Sequence, residues 1–141
     1  MKVRVKKLNE VAQLPIRATP GSVCYDVYSV KRILLSPMER TIVPTGLAFE
    51  LPEGMGLEIR PRSGLASKGF IILNSPGTLD SDYRGELLII CMNLSDKNIV
   101  INVGDRIAQV RLFRTIELEW EEIKELSETK RGEGKLGSTG R

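Results

Sequence analysis

Thr41-Ile42-Val43-Pro44-Thr45-Gly46-Leu47-Ala48-Phe49-Glu50-Leu51-Pro52-Glu53-Gly54-Met55-Gly56-Leu57-Glu58-Ile59-Arg60 is a row of short apolar runs cut by proline and glycine. Thr41 to Val43, Leu47 to Leu51 and Leu57 to Arg60 have the length and residue types of strands, and the punctuation between them is that of turns. The pattern continues in both directions. Val23 to Val30, Phe70 to Leu73, Leu87 to Met92, Ile99 to Ile101 and Ile107 to Phe113 are further runs of the same kind. Prolines at 15, 20, 37, 44, 52, 61 and 76 leave little space for a helix beyond two or three turns. The fold class is therefore all-β, a sandwich or barrel with at most one short helix. That helix is expected over Ser63 to Lys68, with Ser63 as cap and Gly69 as terminator. Trp120 to Leu126 mixes two-residue and three-residue apolar spacing and is read as a strand.

A chain of 141 residues with 41% apolar and 28% charged content fits one globular domain. Its longest uncharged apolar run, Leu87 to Met92, is far too short to span a bilayer. The opening Met1-Lys2-Val3-Arg4-Val5-Lys6 alternates charge with valine, which suits an edge strand and lacks the apolar block of a secretory signal. A cytoplasmic protein with no membrane partner is expected. The formal net charge of +3 is spread along the chain without a basic run or aromatic ladder, so direct nucleic-acid binding is not expected. Cys24 and Cys91 lie within β-like segments and read as buried free thiols.

The chain has no histidine. That removes Ser-His-Asp triads, Cys-His pairs, imidazole bases and histidine zinc sites together. Proton transfer is left to carboxylates, lysine, tyrosine or water.

Three segments have compositions suited to chemistry. Pro61-Arg62-Ser63-Gly64-Leu65-Ala66 follows a strand-like run and opens the short helix, an arrangement that suits an anion, although an ordinary capped helix looks the same. Asn74-Ser75-Pro76-Gly77-Thr78-Leu79-Asp80-Ser81-Asp82-Tyr83-Arg84-Gly85-Glu86 reads as a turn-rich hairpin placing an amide, a carboxylate and a tyrosine within ten residues. From Glu128 to Arg141 there are four glycines and one large apolar residue, too little to order a segment by burial. Its Gly, Ser, Thr and Arg are nonetheless the groups that wrap phosphates. Gly132 and Gly137 have P-loop spacing, but Ser138 stands where the lysine belongs and no strand feeds the loop directly. The expected organisation is a β domain over 1–127 and a flexible, glycine-rich phosphate-binding arm over 128–141.

Pro61 to Ala66, Gly77 to Glu86, Gly104-Asp105-Arg106-Ile107-Ala108-Gln109 and Arg131 to Gly140 stand in the order and spacing of the motifs of trimeric deoxyuridine triphosphatases. Gly21-Ser22-Val23-Cys24-Tyr25-Asp26-Val27 is similar to that family's first motif, so the resemblance spans almost the whole chain. It implies a jelly-roll-like subunit and a homotrimer whose three active sites lie between subunits, each closed by a neighbour's tail. It also implies hydrolysis of dUTP to dUMP and pyrophosphate with Mg2+, limiting uracil in DNA and supplying dUMP for thymidylate synthesis.

The resemblance also implies roles for individual residues. Asp80 would hold the 3′-hydroxyl and orient or deprotonate the attacking water, and Tyr83 would pack beneath the sugar and exclude a 2′-hydroxyl. Asn74 and the backbone of the 74–83 hairpin, Gly77 included, would read uracil. Ser63 and Gly64 would bind the α- and β-phosphates, with Arg62 and Gln109 shaping the phosphate and metal surroundings and Asp26 acting through metal-bound water or through local structure. In the arm, Leu136 would cover the base, while Arg131, Gly137, Ser138 and Thr139 would close around the phosphates.

Two positions depart from the family pattern: Val23-Cys24 replaces the usual Ala-Gly, and Lys135-Leu136 replaces Gly-Phe, so the residue over the base cannot stack. The related deoxycytidine triphosphate deaminases would need a glutamate where Ile90 stands. A non-catalytic nucleotide-binding regulator would not need Asp80, Tyr83 and the arm together.

Overall fold

The computed structural model describes residues 1–136 and 138. Ten strands and one helical turn follow in order: β1 (Arg4–Lys7), β2 (Tyr25–Tyr28), β3 (Ile33–Leu35), β4 (Arg40–Glu50), β5 (Met55–Arg60), α1 (Ser63–Ala66), β6 (Phe70–Ile72), β7 (Gly77–Leu79), β8 (Glu86–Asn93), β9 (Ile99–Ile101) and β10 (Arg106–Arg114). Two four-stranded sheets, ordered β1-β4-β8-β6 and β2-β10-β5-β7, are accompanied by the β3-β9 pair. All the pairings are antiparallel and neither four-stranded sheet closes, giving the expected jelly-roll-like arrangement. β1 is an edge strand, as its charge alternation predicts.

Two-residue periodicity decides which side chains fill the space between the sheets. Along β8, Leu87, Ile89, Cys91 and Asn93 are buried while Leu88 and Ile90 are exposed. Along β5, Leu57 and Ile59 point inward and Glu58 and Arg60 outward. Val27, Leu35, Val43, Leu47, Phe70 and Ile107 complete the centre of the core. The one deeply buried amide in it, Asn93, donates from Nδ2 to the carbonyls of Leu35 (3.0 Å) and Lys97 (2.7 Å) and accepts from Ser95, so its burial leaves nothing unsatisfied. Both cysteines are free thiols, Cys91 buried and Cys24 only half-buried. Burial pushes the Cys91 thiol up to about 11.

Several boundaries differ from the sequence reading. Thr41 to Val43 and Leu47 to Leu51 belong largely to one strand, β4. Its register on β8 slips between Pro44, opposite Leu88, and Ala48, opposite Glu86, so the proline is absorbed in an irregularity. Gly46 sits inside that slip at φ +66°, and an added Cβ would stand 2.8 Å from that of Ala12. The segment from 74 to 86 is not a simple hairpin: β6 pairs with β8, whereas β7 crosses to the other sheet and pairs with β5. Ser63 is the first helical residue and does not cap α1; Arg62 holds the cap position and makes no side-chain capping bond. Trp120 to Leu126 forms no strand. Regular structure ends at Arg114, and every residue from there to Leu136 is exposed. Among the described residues no helix is long and apolar enough to cross a membrane.

Candidate active site

The sheet β2-β10-β5 brings together residues far apart in sequence. Register places Gln109 of β10 between Asp26 of β2 and Arg60 of β5, so all three share one face. Gln109 donates from Nε2 to the Pro61 carbonyl at 2.8 Å, tying the corner between β5 and α1 to the sheet. The next residue, Arg62, turns back and donates from Nε to Asp26 Oδ1 at 2.8 Å. Arg106, at the start of β10, reaches Asp26 Oδ2 at 3.4 Å, and Arg62 Nη1 donates to the Arg106 carbonyl at the same distance.

Asp26 is only 7% exposed, and two guanidiniums against one carboxylate leave a positive excess at this spot. Beside it opens a cleft of about 380 Å³ lined by Asp26, Arg62, Ser63, Gly64 and Gln109, with Ala18, Ser22, Val23 and Cys24 completing it. Nothing lies within 4 Å of where a Gly64 side chain would begin. The first hydrogen bonds of α1 run from Leu65 and Ala66 to the Arg62 carbonyl, which leaves the preceding N–H groups of Ser63 and Gly64 at the unbonded start of the turn. Backbone donors, hydroxyls and surplus positive charge around an open polar cleft are what an oligophosphate requires.

A second, smaller recess of about 330 Å³ adjoins it, lined by Arg60, Pro61, Ser75, Pro76 and Gln109. Arg60 is committed elsewhere, bonded to Glu58 at 3.1 Å, and Arg111 bonds the other Glu58 oxygen. The Arg60 and Arg111 guanidiniums hold the Glu58 carboxyl below the usual carboxylate range, and Glu58 in turn raises Arg60.

The dUTPase family profile matches residues 10–140. The chain belongs to the dUTPase family. Curated relatives named deoxyuridine 5′-triphosphate nucleotidohydrolase include those of Hydrogenobaculum sp. (strain Y04AAS1), 52% identical over 99% of both chains, and Nautilia profundicola, 44% identical over the full length of both. Among solved structures, a variant of the Staphylococcus bacteriophage 80alpha dUTPase with dUpNHpp matches with a TM-score of 0.88 at 27% identity, covering 99% of each chain. A variant of the dUTPase from phage phi11 of S. aureus, described with a structural Mg(II) ion, matches with a TM-score of 0.79 at 26% identity, covering 89% of this chain and 98% of that one.

Within this dUTPase-family chain, the residues singled out from sequence fall into three separate places. Asp26, Arg62, Ser63, Gly64 and Gln109 meet in the cleft. Asn74, Gly77, Asp80 and Tyr83 lie along the connection through β7. Asn74 Nδ2 stands 3.1 Å from where a Gly77 Cβ would be, Gly77 pairs with Ile59, and Asp80 is exposed and enters none of the ion pairs among the described residues. Asp80 and Tyr83 do not line the cleft. In the arm, Leu136 is fully exposed, Arg131 bonds its own neighbour Gly134, and Ser138 N bonds the Lys135 carbonyl. Gly137 and Thr139 lie outside the described residues.

Arg106, inside the 104–109 motif, is bonded to the cleft carboxylate although the sequence assigned it no role. Its pairing with Asp26 spans 80 residues. Only its place inside Gly104 to Gln109 could have signalled it.

Proposed function

We propose that this protein is a dUTP diphosphatase that hydrolyses dUTP to dUMP and pyrophosphate in the cytoplasm, acting as a homotrimer. The observation that carries this reading is membership of the dUTPase family along essentially the whole chain, cleft, β7 connection and arm alike. The β domain over 1–127 supplies the scaffold and the arm over 128–141 closes on the substrate. A trimer with shared sites accounts for the separation of the three groups within one subunit: the cleft takes the phosphates, the β7 connection takes the nucleoside, and a neighbour's arm covers both.

Asp80 orients the attacking water and accepts its proton as the water approaches the α-phosphorus in line. Ser63 and Gly64 donate to the α- and β-phosphate oxygens, and Arg62, aimed by Asp26, balances the charge that develops on the departing pyrophosphate. Tyr83 forms the wall under the deoxyribose, and Asn74 with the backbone around Gly77 reads the uracil edge. Leu136 covers the base by apolar contact, while Arg131, Gly137, Ser138 and Thr139 close over the phosphates.

Among the described residues no three His, Cys, Asp or Glu side chains are grouped to hold a metal ion by themselves. Asp26, the acid in the cleft, has both oxygens engaged by arginines. That donor set fits a Mg2+ ion that would be held mainly by the substrate, with Asp26 accepting from its water. Bound in this way the ion would neutralise charge on the phosphates.

The test is pyrophosphate release from dUTP beside dCTP, dTTP and UTP, with mass measurement of the assembled protein. Release from dUTP alone by a species of three chains is the expected result. Release of ammonia from dCTP, or nucleotide binding without turnover, would overturn the proposal.

A further inference from the structure

We infer that Gly85 is a specificity-determining position of this enzyme, because it is the seat on which the Tyr83 ring rests; the inference builds on the reading of Tyr83 as the wall under the sugar. A Cβ placed on Gly85 would stand 2.5 Å from Tyr83 Cζ and 3.1 Å from Cε2, with the hydroxyl closer still. The backbone does not ask for glycine here, since Gly85 is absent from the glycines with positive φ. Its φ lies outside the left-handed region that favours glycine. What excludes a side chain is the ring itself.

The ring has little freedom to yield. Its hydroxyl donates to the Glu86 carbonyl at 3.2 Å, and the Tyr83 backbone N–H donates to the Asp80 carbonyl at 3.3 Å. Arg84 Nη1 donates to the carbonyls of Ser81 (2.6 Å) and Tyr83 (2.9 Å), bracing the same turn. Glu86 is held in its turn, its carboxylate accepting from Gly46 N at 2.6 Å and its backbone paired with Ala48 of β4. The anchor of Tyr83 therefore reaches into the irregularity of β4.

Normal carbon–carbon contact would require the ring to move by about 1 Å. Gly85 meets the hydroxyl end of the ring, and the side chain as a whole is 43% exposed, so the ring has open space to move away from residue 85. A methyl group at 85 thus displaces the wall on which the deoxyribose would pack. Gly85 touches no reacting atom; it is a positioning residue acting through Tyr83.

The test is a double-mutant cycle on kcat/KM for dUTP and for UTP. Gly85→Ala should lower kcat/KM for dUTP by about tenfold or more, carried mainly by KM. In a Tyr83→Ala background, where no ring remains to be displaced, the same change should alter it by no more than about twofold. Tyr83→Phe, which removes the closest atom and the tether to Glu86, should recover most of the loss in Gly85→Ala. Equal losses in the wild-type and Tyr83→Ala backgrounds, or no loss in the wild type, would overturn the role of Gly85 while leaving the Tyr83 wall intact. An unchanged dUTP-to-UTP preference in Tyr83→Ala alone would instead remove the wall, and the inference with it. If Gly85→Ala proves too unstable to assay, the cycle is read on melting temperature. There Tyr83→Ala should restore stability, and failure to do so refutes the steric seat.

Discussion

Asp26→Asn tests how the phosphate cleft is held. The native carboxylate receives Arg62 Nε at 2.8 Å and Arg106 Nη1 at 3.4 Å. A charge-assisted bond of the first kind contributes about 1.5–3 kcal/mol net. The second lies at the geometric limit and its arginine side chain is half-exposed, so its share is about 0–1 kcal/mol. Asparagine keeps the volume and one acceptor oxygen, which retains about 1 kcal/mol as a neutral hydrogen bond. The difference is therefore about 0.5–3 kcal/mol, or roughly 2–150-fold in an equilibrium constant.

On the proposed aim of Arg62 at the leaving phosphates, kcat/KM for dUTP should fall by about that factor, with kcat contributing, and melting should move down by a few degrees. Asp26→Ala should cost more on both measures, since Arg62 Nε then loses its acceptor altogether. Steady-state kinetics and thermal melts of the two variants decide the matter. If Asp26→Asn keeps native kcat/KM and melting temperature, the arginines do not depend on the carboxylate and the electrostatic account of the cleft is wrong.

Asp80→Asn should retain dUpNHpp binding and trimer formation while kcat falls by about 10²–10⁴, the usual worth of a positioned base; near-native kcat would remove Asp80 from that role. Deleting residues 129–141 should leave the β domain folded, since residues 129–136 are exposed, yet abolish most activity, as circular dichroism and pyrophosphate release would show. A truncated protein with most of its activity would make the arm an ordinary terminus. Cys91 gives a pH dependence: its folded thiol titrates at about 11 against an ordinary 9.0. Between those values the unfolded chain has lost a proton that the folded chain keeps, so stability falls as pH rises through that window and is unaffected below it. Denaturant melts of wild type and Cys91→Ala should diverge in slope only there, and parallel curves would count against burial of the thiol.

The strands easiest to read were those whose pattern is local. β8 and β5 declare themselves because each alternates over enough residues to show which face is covered. β3 and β7 have three residues each, too few for any period, and β7 opens on a glycine inside a polar connection. β4 was read as two pieces because Pro44 removes a backbone donor. Its carbonyl still accepts from Val30 N, at 3.1 Å, within the slipped register. The apolar spacing of Trp120 to Leu126 suggested a strand, but spacing cannot supply a neighbour to pair with, and none is present among the described residues.

The site divides in the same way. Asp26, Arg62, Ser63, Gly64 and Gln109 were legible as motif positions, and the sheet register explains why they converge. Arg106 also stood in a motif, but its pairing with Asp26 was not legible, since an ion pair spanning 80 residues leaves no local signature. That the Asp80–Tyr83 segment stands apart from the cleft within one chain could not be read from spacing at all.

The slip in β4 also sets a rule of tolerance for changes in chain length. From Pro44 to Ala48 the strand advances four residues while β8, from Leu88 to Glu86, advances two, a difference of two residues. An even difference preserves parity: odd-numbered Val43 faces the core before the slip, and odd-numbered Leu47, Phe49 and Leu51 face it afterwards. β4 therefore behaves like a reading frame with a two-letter code. Losing or gaining a pair of residues at 45–47 leaves the message downstream intact, whereas a single insertion or deletion turns Phe49 to solvent and Glu50 to the core. The same frameshift passes to β1, whose register is written on the later half of β4 from Lys7 opposite Leu47 to Arg4 opposite Glu50.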